Sequence, residues 1–367
     1  MKGIKNGKII LEDGILEDGV ILFEDKIIDI VSEKEYNLST VELMDVGGSF
    51  VSPGFINIHV HGCSGYDFID EEGLEEISEE LLKTGVTSFL ATTMSLEFEK
   101  IERALRKIKE FMIKGRCKGL LGVHLEGPFI SKKYKGAHDE RFLIDPDFKL
   151  IEPYKDVIKI VTIAPELEGA EEFIKKCSKE GIVISIGHSG ASFEKTIKAI
   201  EYGAKSITHT FNAMPQLHHR NPSVLGAAFA TDVYCEVIPD NIHIHPYLYE
   251  VLIRIKGKDR IILVTDSNRA CLLRDGEYEL GGQAVTVKNG KATLRDGTIA
   301  GSVLRMNEGI RNFYKNTNLE IWEAVKLATI NPARLLGIYD KKGSIEAGKD
   351  AEFCILDEEF NIVDVIM

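Results

Sequence analysis

Eight short apolar or β-branched runs recur along this chain, and helical spacing follows most of them; few folds accommodate that rhythm. The runs cover 55–61, 87–93, 120–126, 158–164, 182–188, 206–211, 234–238 and 261–266. Helical patterns cover 71–83, 98–114, 171–180, 193–202, 246–255 and 304–314. The clearest is 98–114, which places Ile101, Leu105, Ile108 and Met112 on one face. Eight strand–helix units over about 280 residues predict a (β/α)8 barrel, whose active site sits at the C-terminal strand ends. A doubly wound open sheet is the alternative, but no glycine-rich dinucleotide fingerprint opens the first unit.

The two ends of the chain read differently. Residues 1–52 alternate short strand patterns with turn residues, as in Gly7-Lys8-Ile9-Ile10-Leu11 before Glu12-Asp13-Gly14. Residues 340–367 have the same character, and neither half has enough strands to bury a core alone. They are expected to pair into one small β-sandwich domain, with a catalytic barrel at 53–339 inserted between them. A β excursion with a Lys288-Asn289-Gly290 turn interrupts the barrel rhythm at 271–300. The last helix, 321–329, is expected to stop at Asn331-Pro332.

Side chains of a strand alternate between faces, so in the first run Ile56, Ile58 and Val60 share one face and Asn57, His59 and His61 the other. Neutral imidazole is the commonest metal ligand, and an i, i+2 pair aims two of them at one point. The other runs end in chemistry as well: Glu126 at the third, His188 at the fifth, His209 at the sixth and Asp266 at the eighth. Glu126, His188 and His209 make a three-ligand set that leaves coordination open for water, as catalytic zinc requires. His59 and His61 complete a second metal position or replace one ligand. Asp266, with no ligand duty required of it, suits a general base that then acts as general acid. The prediction is metal-assisted hydrolysis of a carbonyl or phosphoryl bond. His124, His218, His219 and His245 read as structural.

Composition narrows the surroundings. The net charge of −13 comes with no basic stripe, which argues against nucleic acid as a partner. An anionic substrate would need local cations or backbone N–H groups, and the run Lys132, Lys133, Lys135 can steer one. No apolar run approaches a membrane span, and no signal peptide is read at the N-terminus. Six cysteines without a C-x-x-C pair suit a reducing cytoplasm.

Several segments carry a family resemblance: PGFINIHVHG, HLEGPF, KGAH, GHSGA, THTFNAMPQLHHRNP, DNIHIHP, LVTD, GTIAGS, ATINPARLLG and GSIEAGKDAEFCILD, in that order. Together they closely resemble N-acetylglucosamine-6-phosphate deacetylases of the amidohydrolase superfamily, over roughly residues 50 to 357. HLEGPF, TH-x-FNAM and LHHR-x-P are specific to that family; H-x-H and GSIEAGKDAEF mark the superfamily. The resemblance implies a metal-dependent barrel with a small β domain, and removal of acetate from N-acetyl-D-glucosamine 6-phosphate. Other readings are the galactosamine epimer, another N-acyl compound, or a barrel that binds without catalysis.

The resemblance also implies roles. Glu126, His188 and His209 are similar to the family's metal ligands, and Asp266 to its catalytic acid/base. His138, beside Ala137 in the KGAH segment, resembles the residue that polarises the acetyl carbonyl. Asn212 and Ala213 resemble a substrate-binding pair, and Ile299, Ala300 and Gly301 a substrate-contacting loop. Arg220 and His243 resemble a phosphate clamp whose arginine comes from the neighbouring subunit, which implies a homodimer. The expected ion is zinc, one or two per subunit because both strand-one histidines are present, with iron or another divalent ion as alternatives. Residues 267–274 depart from the family's small residues and glycine, so Arg269, Cys271 and Leu272 are expected to reshape the acyl or sugar pocket.

Overall fold

The computed structural model describes residues 1–32, 39–70 and 72–367; Glu71, where the first helical pattern begins, lies outside the described residues. Eight parallel strands stand side by side in chain order: β1 (Phe55–Val60), β2 (Val86–Thr93), β3 (Leu120–Glu126), β4 (Ile158–Ile163), β5 (Val183–Ile186), β6 (Ala204–Ile207), β7 (Tyr234–Val237) and β8 (Ile261–Leu263). The end strands meet across a seam, where the Asp266 N–H donates to His59 O (2.9 Å) and the His61 N–H to Ser267 O (2.8 Å). Helices follow the strands: α1 (Leu74–Leu82), α2 (Phe98–Lys114), α3 (Ala170–Lys179), α4 (Phe193–Glu201), α5 (Ser223–Ala230), α6 (Tyr247–Lys256), α7 (Met306–Lys315), α8 (Ile321–Lys326) and α9 (Ile330–Leu336). Only a single turn, Phe148–Ile151, serves as the helix after β3.

Local sequence accounts for the element ends. In α2, Ile101, Ala104, Leu105 and Ile108 are buried, and Gly115 caps the helix in the left-handed region at φ 61°. Ser192 caps α4 by accepting the Lys195 N–H. Helix α5 escapes periodicity because Val224, Leu225, Ala227 and Ala228 are all buried and no polar face marks it. The predicted stop at Asn331-Pro332 is corrected: α8 ends at Lys326, and Pro332 falls in the first turn of α9, where a missing N–H costs nothing.

Three strands end two or more residues before the predicted point. β5, β6 and β8 end at Ile186, Ile207 and Leu263, so His188, His209 and Asp266 lie beyond the ladder. Each adopts a left-handed backbone, at φ 46°, 27° and 49° respectively. A residue in that region bends the chain sharply, and three such bends at one rim set the side chains at angles a continuing strand cannot supply.

The termini form two sheets. Lys2–Lys5, Gly19–Phe23, Ile27–Ser32 and Glu42–Asp45 make one; Lys8–Leu11, Gly14–Leu16, Phe50–Pro53, Phe353–Leu356 and Ile362–Ile366 make the other. Ile4, Ile21 and Phe23 of the first share an apolar core with Ile9, Val51, Phe353 and Ile355 of the second. The excursion after β8 is a three-stranded antiparallel sheet, Gly276–Leu280, Gln283–Lys288 and Lys291–Leu294.

Candidate metal centre and catalytic cavity

Glu126 ends β3 and is the hub of the barrel mouth. Its Oε1 lies 3.2 Å from His188 Nε2, 3.1 Å from His209 Nε2 and 3.4 Å from His59 Nε2. Its Oε2 lies 3.2 Å from His61 Nε2 and 3.3 Å from His138 Nε2. Asp266 Oδ1 stands 3.1 Å from His61 Nε2 and 3.5 Å from His59 Nε2. All seven side chains are buried. His59 and Glu126 stand on β1 and β3, His61, His188, His209 and Asp266 lie just past β1, β5, β6 and β8, and His138 is in the loop after β3, yet all meet in one cluster.

Hydrogen bonds behind the rings decide which nitrogen faces the centre. The His188 Nδ1–H donates to Tyr134 O (2.9 Å), leaving a lone pair on Nε2. The His59 Nδ1–H donates to Glu236 Oε2 (3.0 Å), which does the same for His59. His138 is set the other way, because the Ser95 N–H donates to its Nδ1 (3.1 Å) and its Nε2 carries the proton.

Two halves of the cluster fit a cation. His188 Nε2 turns a lone pair onto Glu126 Oε1, and His209 Nε2 is 2.9 Å away, so acceptors crowd one point. Their mutual spacings match donors sharing one ion at about 2.0–2.2 Å each. In the other half, His59 Nε2 is buried without a hydrogen-bond partner and faces carboxylate oxygens of Glu126 and Asp266, which are acceptors too. Glu126, His188 and His209 form one group able to hold a metal ion; His59, His61 and Asp266 form another. His124 bonds instead to Ile58 O and Thr162 Oγ1 inside the barrel.

The protein's own charges follow this geometry. Burial holds His188 down to about 4, so its ring is neutral at physiological pH, the form able to ligate a metal. Burial also opposes charge on His61, but Asp266 and Glu126 outweigh it and raise the ring to about 9. Burial opposes ionisation of Glu126 as well, yet the surrounding imidazoles hold it well below the usual carboxylate range. The site therefore favours two ionised carboxylates and demands positive charge opposite them.

Above the cluster opens a cavity of about 260 Å³. Ala137, His138, Asn212, Ala213, His243, Ile299 and Gly301 line it together with Glu126, His61, His188, His209 and Asp266. Ala300 lies just beneath the wall, its carbonyl accepting the Asn268 side-chain amide (2.8 Å). His243 is aimed by Asp240, which takes its Nδ1–H at 2.7 Å. Arg220 does not reach this cavity; it is exposed, with Nη1 2.7 Å from His219 Nε2. Nor do residues 267–274 line it, which corrects the expectation that they reshape the pocket: Arg269 bonds to Asp67 and Asp70, and Cys271 is buried against Leu304. Sequence reasoning missed Glu236, Ser95 and Asp240. For Glu236 a signal existed, a lone charge inside the strand Tyr234–Val237.

Comparison with known proteins gives concordant findings. The model of the amidohydrolase family matches residues 50–367. An N-acetylglucosamine-6-phosphate deacetylase of Bacillus subtilis (strain 168) is 38% identical over 98% of this chain and 94% of its own. An N-acetylgalactosamine-6-phosphate deacetylase of Escherichia coli O157:H7 is 30% identical over 98% of this chain and 96% of its own. The crystal structure of an N-acetylglucosamine-6-phosphate deacetylase from Thermotoga maritima superposes with a TM-score of 0.91 at 36% identity, over 99% of this chain and 97% of its own.

Proposed function

The chain belongs to the amidohydrolase family, and from that premise we propose that it hydrolyses the acetamide of N-acetyl-D-glucosamine 6-phosphate, yielding acetate and glucosamine 6-phosphate. The observation that carries this reading is the convergence of Glu126, His59, His61, His188, His209 and Asp266 at the floor of a cavity that His138 overhangs. Glu126, His188 and His209 would hold one divalent ion, and His59, His61 and Asp266 would hold another. Nitrogen and carboxylate donors of this kind suit zinc. Such ions, when bound, acidify water and draw electron density from an acyl oxygen.

The residues supply the rest. Asp266 accepts the proton of the attacking water as the C–O bond forms. His138, whose Nε2–H is fixed by the Ser95 amide, donates to the oxygen on which negative charge develops. Asp266 then delivers its proton to the leaving nitrogen as the C–N bond breaks, so one carboxylate serves as base and acid in turn. Ala137, Asn212, Ala213, Ile299, Ala300 and Gly301 shape the sugar subsite, and His243 faces the phosphate.

Arg220 completes the phosphate clamp from a neighbouring subunit in a homodimer. Its exposure supports that reading, as does the apolar face of α6, where Tyr247, Leu248, Val251 and Ile255 are all exposed beside Ile242. Six unpaired thiols suit a cytoplasmic enzyme, and no helix of the described residues is long and apolar enough to cross a membrane.

Acetate release by the wild type and Arg220→Ala from three compounds tests this reading: N-acetyl-D-glucosamine 6-phosphate, its galactosamine epimer and unphosphorylated N-acetyl-D-glucosamine. The wild type is expected to turn over the glucosamine 6-phosphate fastest. Losing the charge-assisted contacts of Arg220 raises KM for phosphorylated substrates roughly 10- to 100-fold, and hardly alters it for the unphosphorylated sugar. Faster turnover of the epimer would reassign the sugar, which the similarity to the Escherichia coli O157:H7 protein makes a concrete second reading. Equal effects on all three compounds would remove Arg220 from the clamp.

A further inference from the structure

Residues 267–274 leave the rim beside Asp266 and run along the extension of β1, not into the cavity. The Asp266 N–H donates to His59 O, and Ser267 O accepts the N–H groups of His61 (2.8 Å) and Gly62 (3.0 Å). Within the ladder region the two end strands lean on the α8–α9 turn, with Ile56 N–H donating to Ala328 O and Leu263 N–H to Leu327 O. The seam between β1 and β8 thus lacks the continuous ladder that unites β1 to β8 through the other strands. The two halves of the cation site differ in this respect. Glu126, His188 and His209 end or follow strands paired on both sides, whereas His59, His61 and Asp266 straddle the seam.

Arg269 spans that seam just outside the rim. Its backbone N–H donates to Asp67 Oδ1 (2.9 Å), its Nε–H to Asp67 Oδ2 (2.7 Å), and its Nη2 to both oxygens of Asp70 (3.1 Å each). Its carbonyl accepts the Gly65 N–H at 2.7 Å. Asp67 is 2% exposed and pairs with Gly62 in the short hairpin that begins immediately after His61. That pairing is tight: a Cβ on Gly62 would sit 2.0 Å from Tyr66 O. The clasp therefore acts one residue from His61 on one side and three residues from Asp266 on the other. A planar guanidinium meets two carboxylates in fixed directions, which a lysine ammonium does not.

We propose that Arg269 is a positioning residue: its clasp on Asp67 and Asp70 closes the β1–β8 seam and sets the affinity of the half-site formed by His59, His61 and Asp266, leaving the Glu126–His188–His209 half-site to the ladder. The inference rests on the two-ion reading given above. Two variants test it, Arg269→Lys and the double variant Asp67→Asn/Arg269→Gln, which keeps hydrogen-bonding shape without burying an unpaired charge. Zinc per chain is measured across a series of buffered free-zinc concentrations, alongside the melting temperature of the metal-free protein. The wild type is expected to hold two ions. In both variants one ion weakens by about 10- to 100-fold, as outer-shell losses typically do. The other ion keeps its wild-type affinity, and the metal-free melting temperature of the double variant stays that of the wild type. Unchanged affinities, or equal weakening of both ions, overturn the proposal. If the wild type holds a single ion that His188→Asn abolishes, the two-ion reading fails, and the clasp is judged through Asp266. A fall in kcat of about tenfold or more with KM unchanged then supports positioning, and an unchanged kcat overturns it.

Discussion

Asp266→Asn is expected to lower kcat for acetate release by about 10³-fold, within the range typical of a lost general acid–base. The substitution keeps the local backbone while removing the proton carrier. Asp266 sits at φ 49°, a conformation that asparagine tolerates nearly as well as aspartate, so the bend after β8 survives. An amide oxygen can still face His61 Nε2, now 3.1 Å from Asp266 Oδ1. What disappears is a group able to take a proton from water and return it to the amine. The ion at Glu126, His188 and His209 is expected to be retained while the half-site that includes Asp266 weakens, so kcat is compared at a free-zinc concentration that fills both sites. Steady-state kinetics with metal analysis on the same sample checks this. A fall of less than about tenfold, with metal retained, would assign the proton transfers elsewhere.

The second large effect is expected at the hub. Glu126→Gln replaces a carboxylate whose Oε1 faces His59, His188 and His209 and whose Oε2 faces His61 and His138. One substitution therefore touches both half-sites. It removes the anionic donor that stands beside the Nε2 lone pairs of His188 and His59, so a cation shared among them loses its charge partner. Bound zinc is expected to fall for both ions together, and kcat/KM to drop on the order of 10³-fold, the several kcal/mol that metal assistance supplies. This pattern contrasts with the selective loss expected from breaking the Arg269 clasp. Metal analysis at fixed free zinc reads both, and retention of two ions in Glu126→Gln would contradict the shared-carboxylate arrangement.

Much of this architecture was legible before any coordinates. The alternation over residues 55–61 places two imidazoles on one face, and the last titratable residue of four other runs is Glu126, His188, His209 or Asp266. Such reading works because parallel barrel strands end at one rim, so terminal residues become neighbours whatever their separation in sequence. It fails where position depends on backbone bends. His188, His209 and Asp266 read as strand residues, but each sits past its strand in a left-handed turn. No side-chain pattern announces such a turn at a histidine.

Other omissions have equally physical causes. Glu236 carries no motif; its duty of holding His59 Nδ1–H comes only from the adjacency of β7 and the barrel axis. Ser95 meets His138 Nδ1 with both its backbone amide and its hydroxyl, from a position that no motif marks. The departure at 267–274 is visible in the sequence, but its consequence falls on the β1–β8 seam and not on the cavity. The contacts of Arg269 with Asp67 and Asp70 cross about 200 positions of sequence to a hairpin that no local pattern connects to it.

The central claim is that buried imidazoles and carboxylates at the barrel mouth act through a divalent cation. The most direct measurement follows acetate release from N-acetyl-D-glucosamine 6-phosphate by wild-type protein stripped with a chelator, then titrated with zinc. The account predicts no turnover in the stripped protein and recovery in step with the zinc bound per chain. Full turnover by protein shown to contain no metal would contradict it.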